Sequence, residues 1–352
     1  MRILQVAPLH ERVPPVTYGG TERVVSYLTD ALVDLGHDVT LIASGDSRTR
    51  AELIPATPRS LRLDDTCRDS LAHHLRALGI VATCAVAFDV VHFHTGFLQL
   101  PLARCLDAPS LTTLHGRLDI EELWPLLREF RDIPLVSISN AQRPDEVDAH
   151  WVGTVYHGLP PGLLPFRAEA DDYAVFIGRI SPEKRVDRAI AIARRAGVPL
   201  RIAAKVDVVD RKYFEAEIKP LLDLPGISYL GEVTEEEKAD LLGGARALLF
   251  PIDWPEPFGM VLIEAMSCGT PVVAWRQGSV PELIEDGVNG LIVDSIESAA
   301  EALRSVDAID RAACRAIFER GFTADRMARD YVALYKAVRE ANGRGLREAV
   351  GA

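Results

Sequence analysis

Short, almost unbroken apolar runs alternate along this chain with longer stretches in which apolar residues return every three or four positions. RILQVA at the start is the first such run. After a loop rich in Pro and Gly, Val24, Leu28, Ala31, Leu32 and Leu35 fall on one helix face, and Gly36 ends that helix. DVTLIA follows as a second buried strand, giving a strand–helix–strand unit whose parallel strands require a right-handed crossover. DVVHFH, SLTTLH and PLVSIS continue the rhythm, each followed by a segment long enough for a helix or part of one. Strands that are apolar throughout belong to a parallel sheet covered on both faces.

The rhythm breaks at HGLPPGLLPFRAEADD, residues 157–172, where Pro, Gly and charge combine as in a linker between domains. It then restarts with YAVFIG, PLRIAA, ISYLG, ARALLFP and PVVAW as strands, and helices are expected around Val186–Ala196, Tyr213–Leu222 and Glu235–Leu242. The expected fold class is therefore α/β, with two Rossmann-like, doubly wound parallel-sheet domains at 1–160 and 161–321. A last amphipathic helix over 322–352 carries Met327, Tyr331, Leu334, Tyr335 and Val338 near helical spacing. In such sheets ligands bind beyond the carboxyl ends of the strands, so functional residues are sought in the loops that follow strands.

Composition narrows the partners. The 352 residues and 48% hydrophobic content suffice for two cores. A net charge of −12 repels phosphate backbones and anionic headgroups, so nucleic acid is excluded as an expected partner, and a phosphate-bearing ligand must be held locally. The five cysteines are odd in number and lack ligand spacing, which fits a reducing cytoplasm; the N-terminus lacks a signal-peptide pattern, and the apolar stretch from Ile80 to Phe93 is too short to span a bilayer. A soluble cytoplasmic protein with no transmembrane segment is the expectation.

The segment WPEPFGMVLIEAMSCGTPVVAW lies between two expected strands, so EPFG is a strand-to-helix loop and MVLIEAMS a helix. Gly259 permits close backbone approach beside Phe258, and the first amides of the helix, at Met260 and Val261, face an anion with the positive end of the helix dipole. Glu256 precedes the helix. Glu264 sits inside it, in an apolar run where a carboxylate needs hydrogen-bond donors or else must face solvent. In FIGRISPEKRVD, Arg179 and Lys184 flank a Ser-Pro turn and can converge on one anion. In PPVTYGGTERVV, Gly19 and Gly20 precede a helix beginning near Thr21; this is not GxGxxG, so a dehydrogenase reading is weak.

The spacing of Glu256 and Glu264 around PFG, the GTPVV that follows, the early GG loop, the GR…K loop and the late PE-I-DG-NG-L turn together resemble the signature of family 4 glycosyltransferases over nearly the whole chain. The resemblance implies the GT-B fold, two Rossmann-like domains facing each other across a cleft, the first on the acceptor side and the second holding the donor. It implies retaining transfer of a hexosyl group from a UDP- or GDP-sugar to a hydroxyl acceptor. It also implies that Glu256 lies near the donor sugar, Glu264 holds the ribose, Arg179 and Lys184 neutralise the diphosphate, the Gly19–Gly20 loop closes over phosphates and sugar, and His115 lies beside the donor sugar. The last helix is implied to cross back to the first domain.

Ser139, Lys205 and the backbone of Gly231 to Val233 are further candidates, the last for the base. Two positions depart from the usual family form: AAKVDVVD stands where a glycine-rich loop is usual, and His157 and Gly158 stand where Asn-Gly is usual. No Asp-x-Asp motif is present and His92 and His94 lack a third ligand, so neither a metal nor another cofactor is implied. Other enzymes of the same fold, a nucleotide-sugar epimerase or a disaccharide phosphorylase, and a noncatalytic sugar-nucleotide binder remain as alternatives. The acceptor, the donor's base and sugar, and the oligomeric state are not specified; acceptor contacts are expected from loops such as Leu118 to Asp132.

Overall fold

A computed structural model of the chain describes residues 1–16, 19–62 and 64–350, with side chains described as far as 342. Thr17 and Tyr18 of the glycine loop, and the last two residues of the terminal segment, lie outside the described residues. The chain divides into two compact units, Met1–Pro160 together with Ala324–Ala352, and Pro161–Thr323.

Unit 1 is a parallel sheet of seven strands: β1 (Arg2–Val6), β2 (Asp38–Ser44), β3 (Glu52–Thr57), β4 (Val90–Phe93), β5 (Ser110–Thr113), β6 (Leu135–Ser137) and β7 (Trp151–Thr154), ordered β3-β2-β1-β4-β5-β6-β7. Unit 2 repeats the plan with six: β8 (Ala174–Arg179), β9 (Leu200–Lys205), β10 (Ile227–Gly231), β11 (Ala247–Phe250), β12 (Val272–Trp275) and β13 (Gly290–Val293), ordered β10-β9-β8-β11-β12-β13. The order reverses between β1 and β4 in unit 1 and between β8 and β11 in unit 2, the crevices where such sheets bind ligands. The apolar runs read from the sequence are these strands. Three further strands, β3, β7 and β13, lie at sheet edges.

Each core follows from the pattern. From β8, Ala174 and Phe176 join Val186, Ala189, Ile190 and Ala193 of the helix Val186–Ala196 in one buried cluster. Leu4 and Val6 of β1 join Val91 and Phe93 of β4 in another. The segment expected as a helix over Tyr213–Leu222 begins earlier, at Arg211, and passes through a π turn at Phe214–Ile218. The helix from Gly20 begins one residue ahead of Thr21, with Gly19 at its N-cap.

One window among the described residues, Ser70–Ala87, is long and apolar enough by composition to cross a membrane, an exception to the reading that no such segment exists. Its Ala77, Leu78 and Val81 are buried in the unit 1 core, while Leu71, Leu75 and Val86 are exposed. The helix Ala324–Val350 belongs to unit 1, where Tyr331 and Tyr335 are wholly buried.

Candidate active site

In unit 2 the candidate site residues come chiefly from the two loops at its reversal point. The loop after β8 carries Lys184, whose Nζ forms an ion pair with Glu256 in the loop after β11 and sits 4.8 Å from the Trp254 ring centroid. Side chains of both partners are largely buried, so the pair is weakly screened by solvent. The loops are riveted together by Asp253, which the sequence reading did not single out. Its amide donates to the Glu183 carbonyl at 2.8 Å, and its carboxylate accepts from Arg185 at 2.9 Å and Arg188 at 3.0 Å. Arg185 adopts φ +53°, a strained left-handed conformation that persists only where surrounding contacts hold it.

Arg179, the last residue of β8, does not share Lys184's partner. It donates to Glu183 at 2.6 Å and lies near Asp207 and Asp210, while Lys205, ending β9, pairs with Asp207 at 2.9 Å. Burial pushes the Asp210 carboxyl up, against the pull of Arg179. The expected convergence of Arg179 and Lys184 on one anion thus starts from two separate ion-pair clusters. The acidic loop VDVVD, standing where glycines are usual, supplies the carboxylates of one.

Phe258 is buried and Gly259, at φ +80°, is the N-cap of the helix Met260–Cys268, with no side chain capping it. The Met260 and Val261 amides therefore open a helix whose dipole favours an anion. Glu264 does not face solvent: it is buried, and its Oε1 accepts from Lys238 Nζ at 2.7 Å, with Glu235 completing the cluster at 2.9 Å. Burial pulls the Lys238 pKa down, but Glu264 and Glu235 more than offset it and leave it raised. Gly231 ends β10 at the sheet edge and Val233 follows it, lining a cavity with Tyr173 and Arg201 rather than the reversal point.

Gly278 is a second residue the sequence reading missed. Its φ is +50°, and a Cβ there would stand 2.4 Å from both the amide nitrogen and the carbonyl oxygen of Glu256. Ser279 completes the brace, its amide donating to the Glu256 carbonyl at 3.0 Å and its hydroxyl to the Phe258 carbonyl at 2.7 Å. Gly278→Ala is expected to cost about 1–3 kcal/mol of stability and to depress turnover further by displacing Glu256. Denaturant titration and steady-state assays on the same preparation check this.

Unit 1 offers a different chemistry. His115 follows β5, and its Nε2 lies 2.8 Å from His94 Nδ1; its ring stacks on His157 with centroids 5.2 Å apart. His92 and His94 are not poised as metal ligands: both are buried and engaged in hydrogen bonds on each ring nitrogen. Burial pushes the His115 pKa down to about 3, and burial reinforced by neighbouring rings holds His92, His94 and His157 well below the usual 6.5. Ser139 is buried after β6, its Oγ accepting from the Gln142 amide at 3.1 Å, so its hydroxyl closes a turn. Gly19, at φ +151°, packs so closely that a Cβ would meet Pro15 at 2.9 Å; Gly20 has open space and starts the helix.

These rings predict acid sensitivity. Between about pH 6.5 and 3 the unfolded chain binds protons that the folded histidines refuse, so stability falls as pH falls through that window. A melting temperature dropping steadily below about pH 6.5 is the expected result; a flat profile would contradict neutral, buried rings.

Two parallel doubly wound units of this topology make a two-domain α/β GT-B fold, and comparison with solved structures agrees: HepE of Anabaena, solved with UDP and glucose, superposes with a TM-score of 0.73 at 17% identity over 96% of this chain and 100% of that one. The family model for glycosyltransferase family 4 matches residues 18–147, and that for glycosyl transferases group 1 matches residues 165–314. The chain belongs to glycosyltransferase family 4 and is a glycosyltransferase. Among its relatives are a glycogen synthase of Mycobacterium tuberculosis, 26% identical over 87% of this chain and 86% of that one, and a phosphatidyl-myo-inositol mannosyltransferase of Mycolicibacterium smegmatis, 27% identical over 86% and 84%.

Proposed function

We propose that this glycosyltransferase moves a hexosyl group from a UDP- or GDP-sugar to a hydroxyl acceptor with retention of configuration. The observation that carries the reading is the Lys184–Glu256 ion pair at the unit 2 reversal point, one strand-to-helix loop away from an uncapped helix N-terminus. The diphosphate sits against the Met260 and Val261 amides, and Lys184 and Arg179 turn from their carboxylates to its oxygens. Negative charge grows on the departing phosphate as the bond from C1 breaks, and preplaced cations stabilise it there. In this reading no metal is needed.

Glu256, released from Lys184 by the diphosphate, faces the sugar, and Glu264 hydrogen-bonds the ribose. His115 of unit 1 meets the donor sugar. The acceptor oxygen attacks C1 on the face that the phosphate leaves, and its proton passes to the leaving phosphate oxygen. The UDP and glucose bound in HepE support a UDP-sugar donor. All five cysteines are free, which supports a reducing, cytoplasmic setting.

The test is incubation with labelled UDP-, GDP- and ADP-sugars, with and without a chelator, followed by NMR assignment of the product's anomeric configuration. An α-product from an α-linked donor, formed equally with chelator present, is expected. An inverted product overturns retention; a sugar 1-phosphate formed from a disaccharide, or an epimerised donor, replaces transfer by one of the other activities of this fold.

A further inference from the structure

The terminal helix Ala324–Val350 reaches His115 through a continuous run of buried polar groups in unit 1. Gln5 of β1 donates from Nε2 to the Tyr335 hydroxyl at 3.0 Å, which turns its Oε1 toward His94 Nε2, 2.7 Å away. An amide oxygen only accepts, so His94 carries a proton on Nε2. Buried without a carboxylate beside it, His94 holds that one proton and no second. Its Nδ1 is therefore a bare lone pair, and the His115 Nε2 that faces it at 2.8 Å must be the donor. The remaining nitrogen of His115, Nδ1, is buried and finds no hydrogen-bond partner among the described residues.

The other branch has the same polarity. Tyr335, accepting from Gln5, directs its own proton to His92 Nδ1 at 2.8 Å, and His92 then donates from Nε2 to Thr113 Oγ1 at 2.7 Å. Thr113 meets Tyr331 of the same helix at 2.9 Å. The links from Gln5 through Tyr335 and His92 to Thr113 agree on one direction, and the Thr113–Tyr331 bond is compatible with either donor. Core packing alone would require neither hydroxyl.

We propose that the terminal helix, acting through Tyr335, Gln5 and His94, positions His115: it fixes the ring as the Nε2–H tautomer and leaves Nδ1 as the acceptor for a substrate hydroxyl. Tyr335, Gln5 and His94 are positioning residues in this scheme. The proposal rests on the reading that His115 meets the donor sugar, and its test separates the two.

The experiment records long-range proton–nitrogen correlations of the full-length protein labelled with 15N-histidine, at neutral pH and without ligand. His115 is expected as a single tautomer protonated on Nε2. Gln5→Leu removes the acceptor for His94 and is expected to convert His115 to a mixture. Tyr335→Phe removes one oxygen from a ring that otherwise packs unchanged, and is expected to move His115 in the same direction as Gln5→Leu. A proton on Nδ1 in the unmodified protein, or a His115 pattern unmoved in both Gln5→Leu and Tyr335→Phe, overturns the positioning chain.

Turnover of the donor is expected to fall roughly tenfold in Gln5→Leu with KM nearly unchanged, the effect of losing one well-placed hydrogen bond. If His115→Ala turns over donor at the unmodified rate, the substrate role of His115 fails while the tautomer result is judged on its own spectra.

Discussion

Replacing Lys184 with alanine is expected to slow turnover of the nucleotide sugar by roughly 100- to 1,000-fold, the range associated with removing one preorganised donor from a place where negative charge develops. The size of the effect follows from position. Lys184 is held by Glu256 and by the Trp254 ring, both in the facing loop, so its cation needs little reorganisation when a phosphate replaces the carboxylate. The substitution also leaves Glu256, a largely buried carboxylate, without that cation. Steady-state kinetics read the effect, with the loss falling mainly on kcat because the charge being stabilised grows along the reaction. A Lys184→Ala variant that turns over donor at the original rate would remove the ion pair from the mechanism.

The second large effect concerns stability. Lys238→Ala is expected to destabilise unit 2 by about 3–5 kcal/mol, because it strands Glu264 inside the protein without the cation that offsets its desolvation. Replacing both partners, Lys238→Met with Glu264→Leu, is expected to restore most of that loss, since two well-packed apolar side chains avoid the desolvation penalty altogether. Chemical denaturation of the single and double variants makes the comparison. The double variant should still bind nucleotide sugar poorly if Glu264 holds the ribose, which separates the structural part of the carboxylate's role from its proposed functional part. A raised Lys238 pKa adds a sign: the pair's contribution is present at neutral pH and is lost only as alkaline pH deprotonates the folded lysine.

How much of this was legible in the residues depended on how local the cause was. Strands buried on both faces carry continuous apolar runs, and RILQVA, DVTLIA and ALLFP announce themselves. Three of the four edge strands do not: β3 contains Pro55, β7 contains Gly153 and β13 begins at Gly290, and an edge position buries too little to impose a strong pattern, whereas the fourth, β10, still shows in ISYLG. Glu256, Gly259 and Glu264 could be placed around a helix start from spacing alone, because a strand-to-helix loop is a local event. Their partners could not. Lys184 meets Glu256 only because β8 and β11 are neighbours across the point where the sheet order reverses. Lys238 meets Glu264 across two successive helices.

The same distinction holds in unit 1. His92 and His94 look like a metal pair in isolation, since alternate residues of a strand share one face. Only the parallel pairing of β1, β4 and β5 brings Gln5, Thr113 and His115 beside them, and only the return of the terminal helix supplies Tyr331 and Tyr335. An i, i+4 tyrosine pair on an amphipathic helix reads as core, and core it is; the two hydroxyls are what the apolar pattern conceals. Gly278 was hidden for a related reason: a glycine after a strand signals a turn, but not that the backbone of Glu256 occupies the space where its Cβ would stand.

The account stands on unit 2 holding a nucleoside diphosphate by Arg179, Lys184 and the amides at Met260. Calorimetric titration of UDP and GDP into the unmodified protein and into an Arg179→Ala, Lys184→Ala double variant tests that claim most directly. The account predicts clear affinity for one of the two nucleotides and at least a roughly hundredfold weaker affinity in the double variant, with the melting transition kept. Equal affinity in both proteins would contradict it.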